Sequence, residues 1–259
     1  MRLLCDIGIL LCVTVPCLVH GFQKPLHYLT FGYATSILFQ GTCIWILYKS
    51  EMHSNAILLH TLLIMVYGLR LTVYLLLNSF NRCYNETAPE SVQYELTPMK
   101  SATMLCICAF LFLCMVSSLL ADVRSSLHND PVHSVLRSAG IVAMIAGISI
   151  ESVADVQRTL PRKPPSEPHC SRGLFTYVRM PNYAGEILFW VGNYIISLAV
   201  PKEWILLLFT TIGVLFSVGV LIYAAYDLDQ KQLRCYGANA DYMAYRRCTG
   251  VLCPFVPEP

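Results

Sequence analysis

Apolar residues in this chain run in blocks of about twenty, separated by short polar stretches, and that pattern leaves few ways to fold it. A helix needs roughly 20 apolar residues to cross the hydrocarbon core of a bilayer. Seven such blocks can be read, over 4–22, 28–48, 57–80, 101–121, 134–154, 182–200 and 204–226. Lipid offers no partner to backbone polar groups, so spanning segments are helices or barrel strands, and nothing here reads as barrel strands. Composition agrees. Charged residues are 13% of the chain, about half the ~25% of soluble domains, which is too little to cover a water-soluble globule of this size. The expectation is an all-α integral membrane protein. It is a bundle of about seven transmembrane helices forming one polytopic domain over 1–259, with a loop cap and a C-terminal tail on one side.

The first block also has the outline of a signal peptide, with Arg2 followed by an apolar run from Leu3 to Gly21. Asp6 and Pro16 interrupt that run, and Val19-His20-Gly21 makes a poor small-residue cleavage site, so a membrane helix is the expectation.

Basic residues set the orientation. Loops on one side carry Lys24, Arg82, Lys100, Arg158, Arg162, Lys163, Arg172, Arg179, Lys231, Arg234, Arg246 and Arg247. Loops on the other carry only Arg2, Lys49, Arg124 and Lys202, while Arg70 and Arg137 lie inside spans. Basic loops stay on the cytoplasmic side, which puts the C-terminus in the cytosol or the mitochondrial matrix and the N-terminus across the membrane. The sequon Asn85-Glu86-Thr87 then falls on the cytoplasmic side and should carry no glycan.

Other classes drop out. The net charge is only +2, and no basic run is interleaved with aromatics, so no nucleic-acid partner is expected. Of the 12 cysteines, Cys12, Cys43, Cys106, Cys108 and Cys114 lie within spans, where cysteine behaves as a small hydrophobe. No C-x-x-C pair and no Cys/His cluster reads as a metal site. The longest connections are 81–100, 155–181 and 227–259. The middle one holds the proline-rich stretch from Pro161 to Pro168, which is stiff and extended. The last contains a short helix near Ala240–Arg247, then an apolar segment, Val251-Leu252-Cys253-Pro254-Phe255, expected to dock back on the bundle or lie at the interface.

Three spans carry polar groups at membrane depth, where they are costly and usually functional. Tyr67, Arg70 and Tyr74 share one helix face. Arg70 needs a carboxylate, a phosphate or a wet cavity, so it is either half of an interhelical ion pair or the wall of a site for an anionic cofactor. Glu151, Asp155 and Arg158 share a face at the end of the fifth span, either as a solvated helix end or as part of the same site. Asn182, Glu186 and Trp190 repeat every four residues in the sixth, and Asn193 follows on nearly the same face. This stripe suggests a cavity wall, with a packing pair between Glu186 and Arg70 as the alternative. A basic rim over amides and carboxylates suits a nucleotide, and the apolar helices suit a lipophilic partner.

Over roughly residues 60–255 the chain resembles the steroid 5α-reductase family of polytopic membrane enzymes. The most specific stretch is Gly173-Leu174-Phe175-Thr176-Tyr177-Val178, followed by Asn182-Tyr183 and Gly185-Glu186. Asp155, Arg162-Lys163-Pro164, Tyr67-Gly68-Leu69-Arg70 and the tail residues Tyr245, Arg246, Arg247 and Pro254 also match. The resemblance implies a seven-helix fold in the endoplasmic reticulum, the mitochondrial inner membrane being the alternative. It implies NADPH as cofactor and reduction of a conjugated C=C bond in a lipophilic enone, steroid-like or polyprenyl-type. Tyr67 matches the general acid that polarises the carbonyl. Asn182 and Glu186 match residues at the nicotinamide, and Asp155, Arg162 and Arg70 match cofactor contacts.

The chain departs from the family pattern in four places. No glutamate within a span precedes Tyr67, and Gln40 is the nearest polar substitute. Asp227 and Asp229 stand where the family has arginine and histidine contacts to the cofactor, and acids there would repel phosphates. Glu151 stands where asparagine is common, and Met180 replaces a histidine. Two other readings therefore stay open. One is a fold relative without catalysis, serving as a structural subunit of a membrane complex. The other is a SAM-dependent methyltransferase of the isoprenylcysteine type, echoed by Arg179-Met180-Pro181-Asn182-Tyr183-Ala184-Gly185 and by Gly237, Tyr242 and Tyr245. The expected partners are membrane lipids, a lipophilic substrate and, on the structural-subunit reading, protein subunits.

Overall fold

The computed structural model describes residues 2–19, 26–52, 54–79, 97–124, 131–159, 170–200 and 204–254. The sequon at 85–87 and the segment 161–168 lie outside them. Among the described residues there are nine α-helices: α1 (Arg2–Leu18), α2 (Leu26–Leu29), α3 (Phe31–Tyr48), α4 (Asn55–Ser79), α5 (Pro98–Arg124), α6 (Pro131–Thr159), α7 (Pro181–Leu198), α8 (Trp204–Tyr236) and α9 (Ala240–Cys248). A 3₁₀ turn at Gly173–Thr176 precedes α7. Three of the helices open on proline, whose missing N–H costs nothing at a first helical position.

Among the described residues, five helices are long and apolar enough to cross a membrane: His27–Tyr48, Asn55–Leu77, Pro98–Arg124, Ser134–Arg158 and Trp204–Tyr236. The chain is thus an all-α integral membrane protein. The first and sixth expected spans are also helical. However, α1 has only 17 residues, and the 18 residues of α7 include Asn182, Glu186 and Asn193, which dilute its apolar character. By contrast, α8 runs for 33 residues, roughly 50 Å at 1.5 Å per residue, well beyond a hydrocarbon core of roughly 30 Å.

The chain divides into two compact units, Met1–Ile141 with Tyr194–Gly213, and Val142–Asn193 with Val214–Pro259. The first unit is an up-and-down bundle. Arg2 at the start of α1 pairs with Glu51 just past α3. Asp6 accepts hydrogen bonds from Tyr48 Oη at 2.6 Å and Arg124 Nη1 at 3.0 Å, which brings the ends of α3 and α5 to the same level. At the other end Tyr28 Oη contacts Ser101 Oγ at 2.9 Å. Near the polar end Asp122, fully buried, lies between His60 Nδ1 at 3.0 Å and Arg137 at 2.8 Å. The helices touch closely where side chains are small. A Cβ on Gly68 would lie 2.6 Å from Leu38 N, and one on Gly213 2.7 Å from the Cys114 carbonyl carbon. Phe39, Ile46, Val66, Leu69 and Leu77 point outward, as residues facing lipid do.

The second unit is built from the last part of α6, the loop before α7, most of α7, the second part of α8, α9 and the tail. Here α6 and α7 run antiparallel, with Gly147 against Phe189 and Gly185 against Glu151. A Cβ on either glycine would come within 2.7 Å of the opposite backbone. The tail docks back as expected. Val178 and Gly250 form a parallel β-bridge, and Val251 packs with Met180 and Ala225.

Candidate functional site

Tyr67 lies on α4 in the first unit and is fully buried. The close approach of α3 and α4 at Gly68 sets it beside Tyr33, and the two phenolic oxygens are 2.8 Å apart. Tyr33 in turn packs on Phe112, with ring centroids 5.4 Å apart. Arg70 follows one turn after Tyr67 and is half-buried. The residue next to Tyr67 is therefore a second tyrosine. Gln40 is fully buried, but its Nε2 donates to Thr14 Oγ1 at 2.6 Å and so ties α3 to α1. Tyr33 was readable in principle, since it lies seven residues before Gln40 on the same helical face.

In the second unit the Gly147–Gly185 crossing organises the polar residues of α6 and α7. Glu151 packs against Gly185. One turn further along α6 comes Asp155, and one turn back along α7 come Pro181 and Asn182. Glu151 and Asp155 are buried, and Asn182 and Glu186 are half-buried. Asn182 Oδ1 is nonetheless shielded from solvent and has no hydrogen-bond partner among the described residues. An unpaired acceptor in such a place costs of order 1–3 kcal/mol unless something donates to it. Further along the same helix, Trp190 and Asn193 are buried. The structure thus brings Asp155, Asn182 and Glu186 together on two packed helices, and Tyr67 and Arg70 together on one helix of the other unit. Arg162 lies outside the described residues.

The loop entering α7 is fixed at three points. Gly173 has φ +60, which L side chains rarely adopt, and the Gln157 side chain lies where a Cβ would be. Gln157 Oε1 accepts the Leu174 N–H at 2.9 Å, holding the 3₁₀ turn to the end of α6. Tyr245 Oη donates to the Phe175 carbonyl at 2.7 Å. Burial pushes the Tyr245 phenol well above its usual range, so it stays a donor at any physiological pH.

Sequence reasoning missed the third point, a buried charge cluster. Arg179 Nε donates to Asp229 Oδ1 at 2.7 Å, and Arg246 Nη1 to Asp229 Oδ2 at 2.5 Å. The exposure of the three side chains is 1%, 8% and 0% for Arg179, Arg246 and Asp229. Arg179 Nη1 also donates to the carbonyls of Arg246 and Thr249. Burial alone would lower the Arg246 pKa, but its bond and charge contact with Asp229 outweigh this and the net shift is upward. Burial raises the neighbouring Tyr242 phenol, the charge of Asp229 adds to the rise, and contact with Arg246 opposes it. Asp229, expected to repel phosphates, is instead neutralised by two guanidiniums from the loop and from α9. The available signal was Arg179 itself, a lone cation between Val178 and Met180.

A model of the family described as "Protein of unknown function (DUF1295)" matches residues 30–249. No curated protein and no solved structure matches the chain.

Proposed function

The chain belongs to the DUF1295 family, and from that premise we propose that it is a membrane reductase using NADPH to saturate a conjugated C=C bond in a lipophilic enone. The observation that carries this reading is the shielded, unpartnered Oδ1 of Asn182 at the start of α7. It is an acceptor waiting for a donor, and the carboxamide N–H of a nicotinamide is a donor of the right kind. Asn182 and Glu186 would hold the nicotinamide end, with Asp155 of the same unit as a further cofactor contact; for Arg162 and Arg70 a contact role rests on the family resemblance alone. When bound, NADPH supplies the hydride that the β-carbon of the enone accepts. The chain's own chemistry is carbonyl polarisation by the Tyr67 hydroxyl. Tyr33 makes sense of the departure from the steroid reductase pattern. A carboxylate beside Tyr67 would only accept from it, whereas the Tyr33 phenol, 2.8 Å away, can also donate to Tyr67 Oη. Hydrogen bonds in such a chain polarise one another and strengthen the terminal donor.

In the membrane, α1 and α7 would complete seven spans. The basic loops would keep α9 and the tail on the cytosolic or matrix side. The likeness to steroid reductases favours the endoplasmic reticulum, with the mitochondrial inner membrane as the alternative.

The test uses the full chain in nanodiscs. Wild type should bind NADPH, seen as a change in its fluorescence, and should oxidise it when a lipophilic enone is added. Asn182→Ala should weaken binding. Tyr67→Phe should keep binding but lose about 10²–10⁴-fold in turnover, the usual share of a general acid. Unchanged turnover in Tyr67→Phe removes the assignment of the acid. A second reading, a non-catalytic subunit of a membrane complex, is favoured by one observation: Asp229 is sequestered by arginines where basic cofactor contacts were expected. Wild type that binds no NADPH and copurifies with other membrane subunits would establish that alternative.

A further inference from the structure

We propose that Asp229 is a positioning residue for the Asn182–Glu186 site, a role that rests on the cofactor reading above. Helix α7 begins at Pro181, which has no N–H of its own, so the peptide planes leading into Asn182 must be fixed from upstream. The tail fixes them. Arg179 N–H donates to the Gly250 carbonyl and Met180 N–H to the Val251 carbonyl, both at 2.9 Å. The Met180 side chain sits in the small core with Ala225 and Val251.

The tail is held in turn by charge. Arg179 Nη1 takes the carbonyls of Arg246 and Thr249, and both guanidiniums share the Asp229 carboxylate. Two buried cations stay side by side only while that carboxylate lies between them. Removing one partner of a buried ion pair leaves an uncompensated charge and is strongly destabilising. Neutralising Asp229 therefore sets Arg246 and α9 against Arg179. The segment Thr249–Val251 leaves with α9, the two backbone bonds open, and the first turn of α7 loses what orients Asn182. Asp227, two residues earlier, pairs with Lys231 at 2.6 Å and, among the described residues, has no part in this cluster.

Hydrogen exchange and NADPH binding, measured on the full chain in nanodiscs, test the proposal together. Asp229→Asn should speed exchange of the Arg179 and Met180 amides and weaken NADPH binding, each by about tenfold or more, a tenfold change in affinity being about 1.4 kcal/mol. Exchange in α5 should stay unchanged, showing that the fold is kept. Asp229→Glu, which keeps the charge, should recover part of both effects. Asp227→Asn should alter neither. Faster exchange throughout the chain, or faster loop exchange with unchanged affinity, overturns the positioning role. Wild type that binds NADPH with an unaffected Asp229→Asn sinks this proposal alone, whereas wild type that binds none sinks the cofactor reading with it.

Discussion

Asp122 illustrates how much a single buried charge can decide. It is fully enclosed between His60 and Arg137 in the first unit. Taking ions out of water is expensive, and their attraction repays the cost only while every partner is present. Asp122→Ala should cost about 3–5 kcal/mol, because Arg137 is left without its counter-charge. Replacing both, as Asp122→Leu with Arg137→Met, should recover most of that loss, since apolar residues of similar volume fill such sites well. Thermal melting in detergent, followed by circular dichroism, reads both; a double variant no better than the single would refute the account. The same reasoning marks what was legible one residue at a time. Tyr67, Arg70, Asn182 and Glu186 could be read because a polar residue in an apolar block stands out. The partners of Tyr67 and Asp229 could not, because which phenol or guanidinium arrives is settled by how helices far apart in sequence pack.

At the scale of helices, glycines decide how close two backbones come. Gly185→Ala would set a Cβ 2.7 Å from Glu151 N and Gly147 O, which are backbone atoms that cannot swing aside. The helices must separate, at about 1–3 kcal/mol, carrying Asp155 away from Asn182. Gly219→Ala on α8 meets nothing within 4 Å and should be harmless. Melting temperatures of the two variants compare them directly; equal values would mean that the α6–α7 crossing is looser than described. Helix positions themselves were legible. The block read over 57–80 is α4 at Asn55–Ser79, and the short tail helix falls at Ala240–Cys248. The end of α8 was not, because hydropathy drops at Asp227 while the helix continues to Tyr236. There the supports are the Asp227–Lys231 pair and the burial of Asp229. The stop is Gly237, with Asn239 capping the next helix by accepting the Asp241 and Tyr242 N–H groups.

For the whole molecule, sidedness is the property that most needs a measurement. Cys235, Cys248 and Cys253 are exposed at and beyond the end of α8, and Cys5 is exposed near the start of α1. If the basic loops set the orientation, a membrane-impermeant maleimide applied from the cytosolic or matrix side should label the first three and spare Cys5. With single-cysteine variants in sealed vesicles, labelling of Cys5 from that same side would contradict the seven-span topology. The clasp between the loop and the tail also has a consequence for how the protein is made. Arg179 leaves the ribosome 70 residues before Thr249, its backbone partner. Until α9 follows, that guanidinium and the Asp229 carboxylate lack the chain that encloses them, although α6 and α7 are already complete. The membrane part can therefore be inserted while the polar part is unfinished. Substitutions in α9 should then act as biogenesis defects, read as rapid turnover of the new chain in a cell.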